Sequence, residues 1–99
     1  MTVSQVNSSS IFRRNPKLAW REIDGEVVII SPDDSILHEL NETASAVWHR
    51  IDGESGLGDI AKSLAEDYGA PIETVRADVE ELAADLSAKN LLLAREGEA

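Results

Sequence analysis

PDDSILHELNETASAVW, residues 32–48, decides the fold, because it supports two incompatible readings of Ser35. In one, Asp34-Ser35-Ile36 opens a helix on a small acidic carrier protein, and Ser35 holds a phosphopantetheine arm. In the other, Ser35 begins a short strand that runs to Leu40 and gives way to a helix at Asn41. The residues after Ser35 favour the strand: Ile36, His38 and Leu40 alternate with Leu37 and Glu39, leaving both faces partly apolar. Asn41 is a good N-cap, because its side-chain oxygen can take a free N–H of the first turn. Ala44, Val47, Trp48 and Ile51 then recur at helical spacing.

Upstream, Leu18–Ile23 and Glu26–Ile30 flank Asp24-Gly25. A two-residue Asp-Gly between apolar, β-branched runs predicts a hairpin, since the tight turn needs positive φ and glycine supplies it. Ser31-Pro32-Asp33-Asp34 predicts a second turn, with proline preset for the bend. A carrier protein is a helical bundle with a helix before its serine. Val27-Val28-Ile29-Ile30 opposes helix there, so the strand reading of Ser35 is preferred.

Downstream, the first helix ends near Asp52-Gly53, where glycine can take the left-handed cap conformation. Ile60, Ala61, Leu64, Ala65 and Tyr68 mark a second helix closed by Gly69. Pro71 suits the first position of a third helix, which carries Ile72, Val75, Val79, Leu82 and Leu86 and is expected to be the backbone of the core. Asn90 tolerates a helix-ending turn, and Leu91–Ala94 reads as a short extended return.

The chain has 99 residues, 42% of them apolar, which suits one domain with one small core. With two Trp, one Tyr and one Phe it cannot wall off a deep pocket for a large substrate, which weighs against an enzyme. No cysteine is present, so disulfides, thiolate chemistry and Cys-based zinc sites are excluded, and a cytoplasmic setting is compatible. No apolar run approaches membrane-spanning length, and the start lacks the apolar centre of a signal peptide. Arg13, Arg14, Lys17 and Arg21 give the first 21 residues a formal +4 against a total of −10, so the remainder carries −14. An acidic body repels phosphate backbones, which disfavours nucleic-acid binding. The face of the third helix that would enter a DNA groove carries Glu73, Glu80, Glu81 and Asp85 against Arg76. Three parts are expected: a flexible basic arm over residues 1–17, a folded domain over 18–95 and an acidic tail over 96–99.

Chemistry-bearing patterns are few. His38 and His49 are the only histidines, without metal-ligand spacing, so no metal site is expected. Asp33-Asp34, Glu66-Asp67 and Glu80-Glu81 are adjacent pairs. Neighbours on a helix point about 100° apart, so such pairs are more economically solvated surface than general acid and base. No Gly-rich phosphate loop or nucleophile–base pairing is present. Trp48 lies on the apolar stripe of the first helix and is expected in the core.

The order three strands, three helices now rests on pattern, and its residues carry a resemblance. Leu40-Asn41-Glu42-Thr43-Ala44 opens the first helix, and Trp48 with Ile51-Asp52-Gly53 closes it. Ile60-Ala61, Leu64, Tyr68-Gly69, Asp78-Val79, Leu82 and Leu86 follow. Over about residues 18–94 the chain resembles the PqqD family, the peptide chaperones of pyrroloquinoline quinone biosynthesis, and more broadly the RiPP recognition elements of peptide-modifying systems. One departure is Asn90, where the family often has glycine; Asn is the usual substitute in a left-handed cap.

That resemblance implies an α+β, winged-helix-like domain without DNA binding, catalysis or a cofactor of its own. Its implied partners are the leader segment of a ribosomally made precursor peptide and a modifying enzyme, often a radical SAM protein, to which the peptide is presented. The implied mechanism is strand addition to an exposed sheet edge, with side chains filling an adjoining groove. Carried onto this sequence, the peptide would pair with Ser35, Ile36, Leu37, His38, Glu39 and Leu40 and pack toward the third helix. Val75, Asp78, Val79 and Leu82 would join Ile36 and Leu37 in the groove, although these positions suit simple core as well, and for Val79 and Leu82 core is the preferred reading. Asp78 is polar on a largely apolar helix face, and a peptide amide, a basic leader residue or a helix cap would each suit it.

Overall fold

The computed structural model describes residues 6–31 and 35–95. Its elements run β1 (Phe12–Arg14), β2 (Ala19–Ile23), β3 (Glu26–Ser31), β4 (Ile36–Glu39), α1 (Glu42–Arg50), α2 (Leu57–Tyr68), α3 (Ile72–Ala88) and β5 (Leu92–Ala94). Asp24 and Gly25 both take positive φ, 52° and 84°, so the chain reverses in two residues and β2 pairs antiparallel with β3 as the Asp-Gly signal predicts. A second antiparallel pairing adds β4, giving the order β2-β3-β4 with β4 at an edge. The expected turn residues Pro32, Asp33 and Asp34 lie outside the described residues.

The strand expected over Ser35–Leu40 is β4, and it is shorter than expected. Ser35 sits in a turn at φ 57°, its N–H donating to the Ser31 carbonyl at 2.8 Å, so it precedes the strand. At the other end Leu40 has left the strand: it is buried, and its N–H donates to the Val27 carbonyl at 2.9 Å. Asn41 then caps α1, its side-chain oxygen accepting from the Ala44 N–H at 2.8 Å. This sharp exit is held by Ser45, the one buried polar residue among those described. Its hydroxyl accepts from the Val27 N–H at 2.8 Å and donates to the Leu40 carbonyl at 3.2 Å, filling the gap where the β3–β4 ladder ends. Ser45→Ala leaves both backbone groups buried without partners, so unfolding in urea is expected to show a loss of about 1–3 kcal/mol.

The sheet lays Val27 and Ile29 against α1, where Val47 and Trp48 are also fully buried, and α2 and α3 close the core with Leu57, Leu64, Val79 and Leu86. Gly69 ends α2 at φ 63° and Asn90 follows α3 at φ 63°, both in the left-handed region their sequence positions suggest. Between α1 and α2, Asp52 accepts from the Ser55 and Glu54 backbone N–H groups. These bonds, with Ser55 the larger influence, hold its carboxyl below the usual range. A lowered carboxyl stabilises the fold above its unfolded value, and that contribution fades on acidification through the lowered one.

Two further expectations differ from the structure. Of the flexible arm expected over residues 1–17, positions 1–5 lie outside the described residues, and in the remainder Phe12 is buried and β1 pairs antiparallel with β5, Phe12 opposite Ala94 and Arg14 opposite Leu92. Just upstream, the Ser10 and Ser8 carbonyls accept the Leu57 and Gly58 N–H groups at 3.0 and 2.9 Å, satisfying donors that the start of α2 leaves free. A Cβ at Gly58 would stand 3.2 Å from Ser8 Cβ, so a residue without a side chain lets the two segments meet. The second correction concerns α3, which buries only Val79, Ala83 and Leu86; Ile72 stays exposed and Val75 and Leu82 are half-covered. The acidic tail expected over 96–99 lies outside the described residues.

Candidate functional site

Antiparallel ladders alternate between residues bonded to the neighbouring strand and residues whose N–H and C=O point the other way. The Leu40–Val27 bond fixes the phase, and the register Glu39↔Val28, His38↔Ile29, Leu37↔Ile30, Ile36↔Ser31 carries it along β4. Ile36 and His38 therefore bond inward to β3, while Leu37 and Glu39 turn their backbone N–H and C=O outward at the edge. Four backbone groups are left facing away from the sheet. An edge of this kind accepts another strand unless charge, proline or a covering segment blocks it.

Beside that edge lies α3. A groove of about 380 Å³ is walled by Val47 on α1, by Leu64 and Tyr68 on α2 and by Val75, Asp78, Val79 and Leu82 on α3. A second hollow of about 270 Å³ runs between His38, Glu39 and Leu40 on one side and Leu82, Asp85, Leu86 and Lys89 on the other. Asn41, Ala44 and Leu82 line both, so the two form one channel along α3 that opens beside the end of β4.

The structure thus brings together seven of the ten residues singled out: His38, Glu39 and Leu40 at the strand end, and Val75, Asp78, Val79 and Leu82 on the helix. Val79 is buried and forms the floor, whereas Leu82 is half-exposed and faces both hollows. Ser35, Ile36 and Leu37 line neither hollow. Leu37 lies in register with Ile30, so its side chain stands on the sheet face opposite buried Ile29. Its contribution can come from the backbone alone. The sequence reading missed Thr43, Thr74 and Tyr68. Thr74 stands one turn before Asp78 and could have been found from helical spacing. Tyr68 was assigned to the apolar stripe of α2, but at the helix end its ring is half-exposed.

The opposite edge is furnished differently. Trp20 on β2 meets the Trp48 ring edge-on at 5.8 Å and the His49 ring at 5.7 Å, and the Arg14 guanidinium lies 5.1 Å over the Trp20 ring. His49 Nε2 is 3.0 Å from Glu22. The two histidines thus serve different neighbourhoods, and among the described residues no group of His, Asp and Glu could hold a metal ion. Ser35 precedes a strand, where a carrier protein would place it at the start of a helix, so the phosphopantetheine reading loses its geometry. No helix of the described residues is long and apolar enough to cross a membrane.

Residues 26–92 match the sequence model of the family described as Coenzyme PQQ synthesis protein D (PqqD). A PqqA binding protein of Xanthomonas oryzae pv. oryzae (strain PXO99A) is 35% identical over 81% of this chain and 85% of its own. The solution structure of the PqqD truncation of Methylobacterium extorquens PqqCD, described as a stand-alone RiPP recognition element, superposes with a TM-score of 0.75 at 24% identity, covering 89% of this chain and 94% of that one. TbiB1, solved in complex with the TbiA(beta) leader peptide, gives 0.74 at 23% identity, over 88% of this chain and 98% of its own. At such identities the structures establish the shared fold.

Proposed function

Because the chain belongs to the PqqD family, we propose that it is a noncatalytic peptide chaperone: it binds the leader segment of a ribosomally made precursor peptide by strand addition at β4 and presents it to a peptide-modifying enzyme. The observation that carries this reading is the outward-facing backbone of Leu37 and Glu39 beside the channel along α3. An extended peptide there would satisfy four backbone groups, and its alternate side chains would enter the channel. Hydrogen bonds to the edge supply affinity for any extended chain, and the channel supplies the choice among sequences. The relatives support it: one bears the name PqqA binding protein, and TbiB1 was solved with a leader peptide. A radical SAM enzyme is the partner the family resemblance suggests.

β4 is preferred to β2 because the hollow beside it leads along α3 to the apolar groove, whereas β2 is flanked by the Arg14–Trp20–His49 cluster. Titrating the ¹⁵N-labelled protein with synthetic leader segments of the small precursor peptides encoded beside its gene is expected to give saturable shifts at the Leu37 and Glu39 amides and along residues 75–82. If every such peptide left these signals unmoved, or moved only those of β2, strand addition at β4 would be wrong.

A further inference from the structure

We infer that the channel selects a peptide carrying a cationic side chain two residues from its apolar anchor, with Asp78 as the residue that reads the charge. The inference rests on the leader-binding reading and adds the chemistry of the bound segment. Among the residues that line the larger groove Asp78 is the one acid, whereas two acids elsewhere on the helices are already paired, Asp85 with Lys89 Nζ at 3.1 Å and Asp67 with the Arg50 guanidinium. Asp78 has no hydrogen bond or ion pair among the described residues, although it stands on the wall of a groove otherwise built largely from Val47, Leu64, Val75, Val79 and Leu82. Its helical neighbours one turn away, Thr74, Val75, Glu81 and Leu82, include no cation. The body behind it is acidic, −14 from residue 22 onward within the total of −10, and draws cations toward the groove while repelling acidic segments.

Spacing sets the second half of the inference. The channel runs along α3, so a strand lying in it follows the helix axis. Residues i and i+2 of a strand, on the same face, stand about 6.6 Å apart. Residues i and i+4 of a helix are separated by about 6 Å along its axis. A peptide whose apolar side chain sits over Leu82 therefore places its next same-face side chain over Asp78. A backbone amide would meet that carboxylate with one hydrogen bond and leave its charge, and a peptide carboxylate would be repelled. A Lys or Arg matches it.

The test uses the synthetic leader segment of the precursor peptide encoded beside this gene in three versions, with Lys, norleucine or Glu two residues from the apolar anchor. Each is titrated into the wild-type protein and into Asp78→Asn, at low salt and at high salt, by ¹⁵N shifts. An exposed pair is worth a modest factor, so the Lys peptide is expected to bind about two- to five-fold tighter than the norleucine peptide at low salt, with the Glu peptide weakest. In Asp78→Asn, and at high salt, that order should flatten. Equal binding of the Lys and norleucine peptides to the wild type, or a preference for Lys that persists in Asp78→Asn, overturns the charge inference while leaving leader binding intact. If no version shifts the Leu37 and Glu39 amides, the leader-binding reading falls, and this one with it.

Discussion

Leu37→Pro is expected to weaken leader binding by roughly 5- to 150-fold while the domain stays folded, since a bound peptide carbonyl left without its donor costs about 1–3 kcal/mol. The reason lies in the phase of the ladder. Leu37 faces Ile30 in a pair whose backbone groups point away from one another, so its N–H takes no part in the β3–β4 pairing, and proline is tolerated at such an edge position. Moving the same substitution one residue reverses the outcome: His38 bonds inward to Ile29, so His38→Pro breaks the ladder and is expected to lower stability as well as binding. Leu37→Ala keeps the N–H and serves as the control, since the Leu37 side chain stands on the far face of the sheet; its affinity should stay near that of the wild type. Isothermal titration gives the affinities and circular dichroism the folded state. A folded Leu37→Pro with undiminished affinity would remove β4 as the docking edge.

The contrast between positions 37 and 38 was not available from the sequence. Alternation of Ile36, His38 and Leu40 against Leu37 and Glu39 announces a strand, but both faces are partly apolar, so the pattern cannot say which face meets the core. The Leu40–Val27 bond and the Ser45 hydroxyl settle that phase, and Ser45 looks in the sequence like an ordinary helix serine. Local signals fared better where the physics is local: Asp24-Gly25 at a hairpin, Asn41 at a cap and Gly69 at a helix end each do what their residue types favour. On α3, periodicity names the stripe Ile72, Val75, Val79, Leu82 and Leu86 but cannot say how much of it another element covers, and Ile72 stays exposed. Because α2 and β5 cover only part of it, Val75 and Leu82 remain half-open, and that shortfall in burial is the groove. Ser35 falls outside the strand for a related reason. Its positive φ is set by the turn from β3, while its own type carries no strong preference for that region.

Phe12→Ala is expected to destabilise the domain by about 3–5 kcal/mol, a cost typical of emptying a buried aromatic site. Only 4% of Phe12 is exposed, and it belongs to the same core as Leu91 and Leu92. Arg13, its exposed neighbour, should tolerate alanine within about 0.5 kcal/mol. A flexible arm would predict no change for either substitution, so urea unfolding of the pair separates the two views. The basic composition of residues 13–21 hid this strand, because Ile11 and Phe12 form too short an apolar run to announce themselves and their partner lies at the far end of the chain. The consequence reaches the groove. β1 holds Leu91 and Leu92 where the chain turns back from α3, the Asn15 N–H donating to the Leu91 carbonyl at 3.1 Å, and Leu91 with Leu86 lines the hollow beside β4. In a Phe12→Ala protein that remains folded, hydrogen exchange is therefore expected to rise at Leu91 and Leu92 before it rises in β3, and leader affinity to fall although no residue touching the peptide has changed.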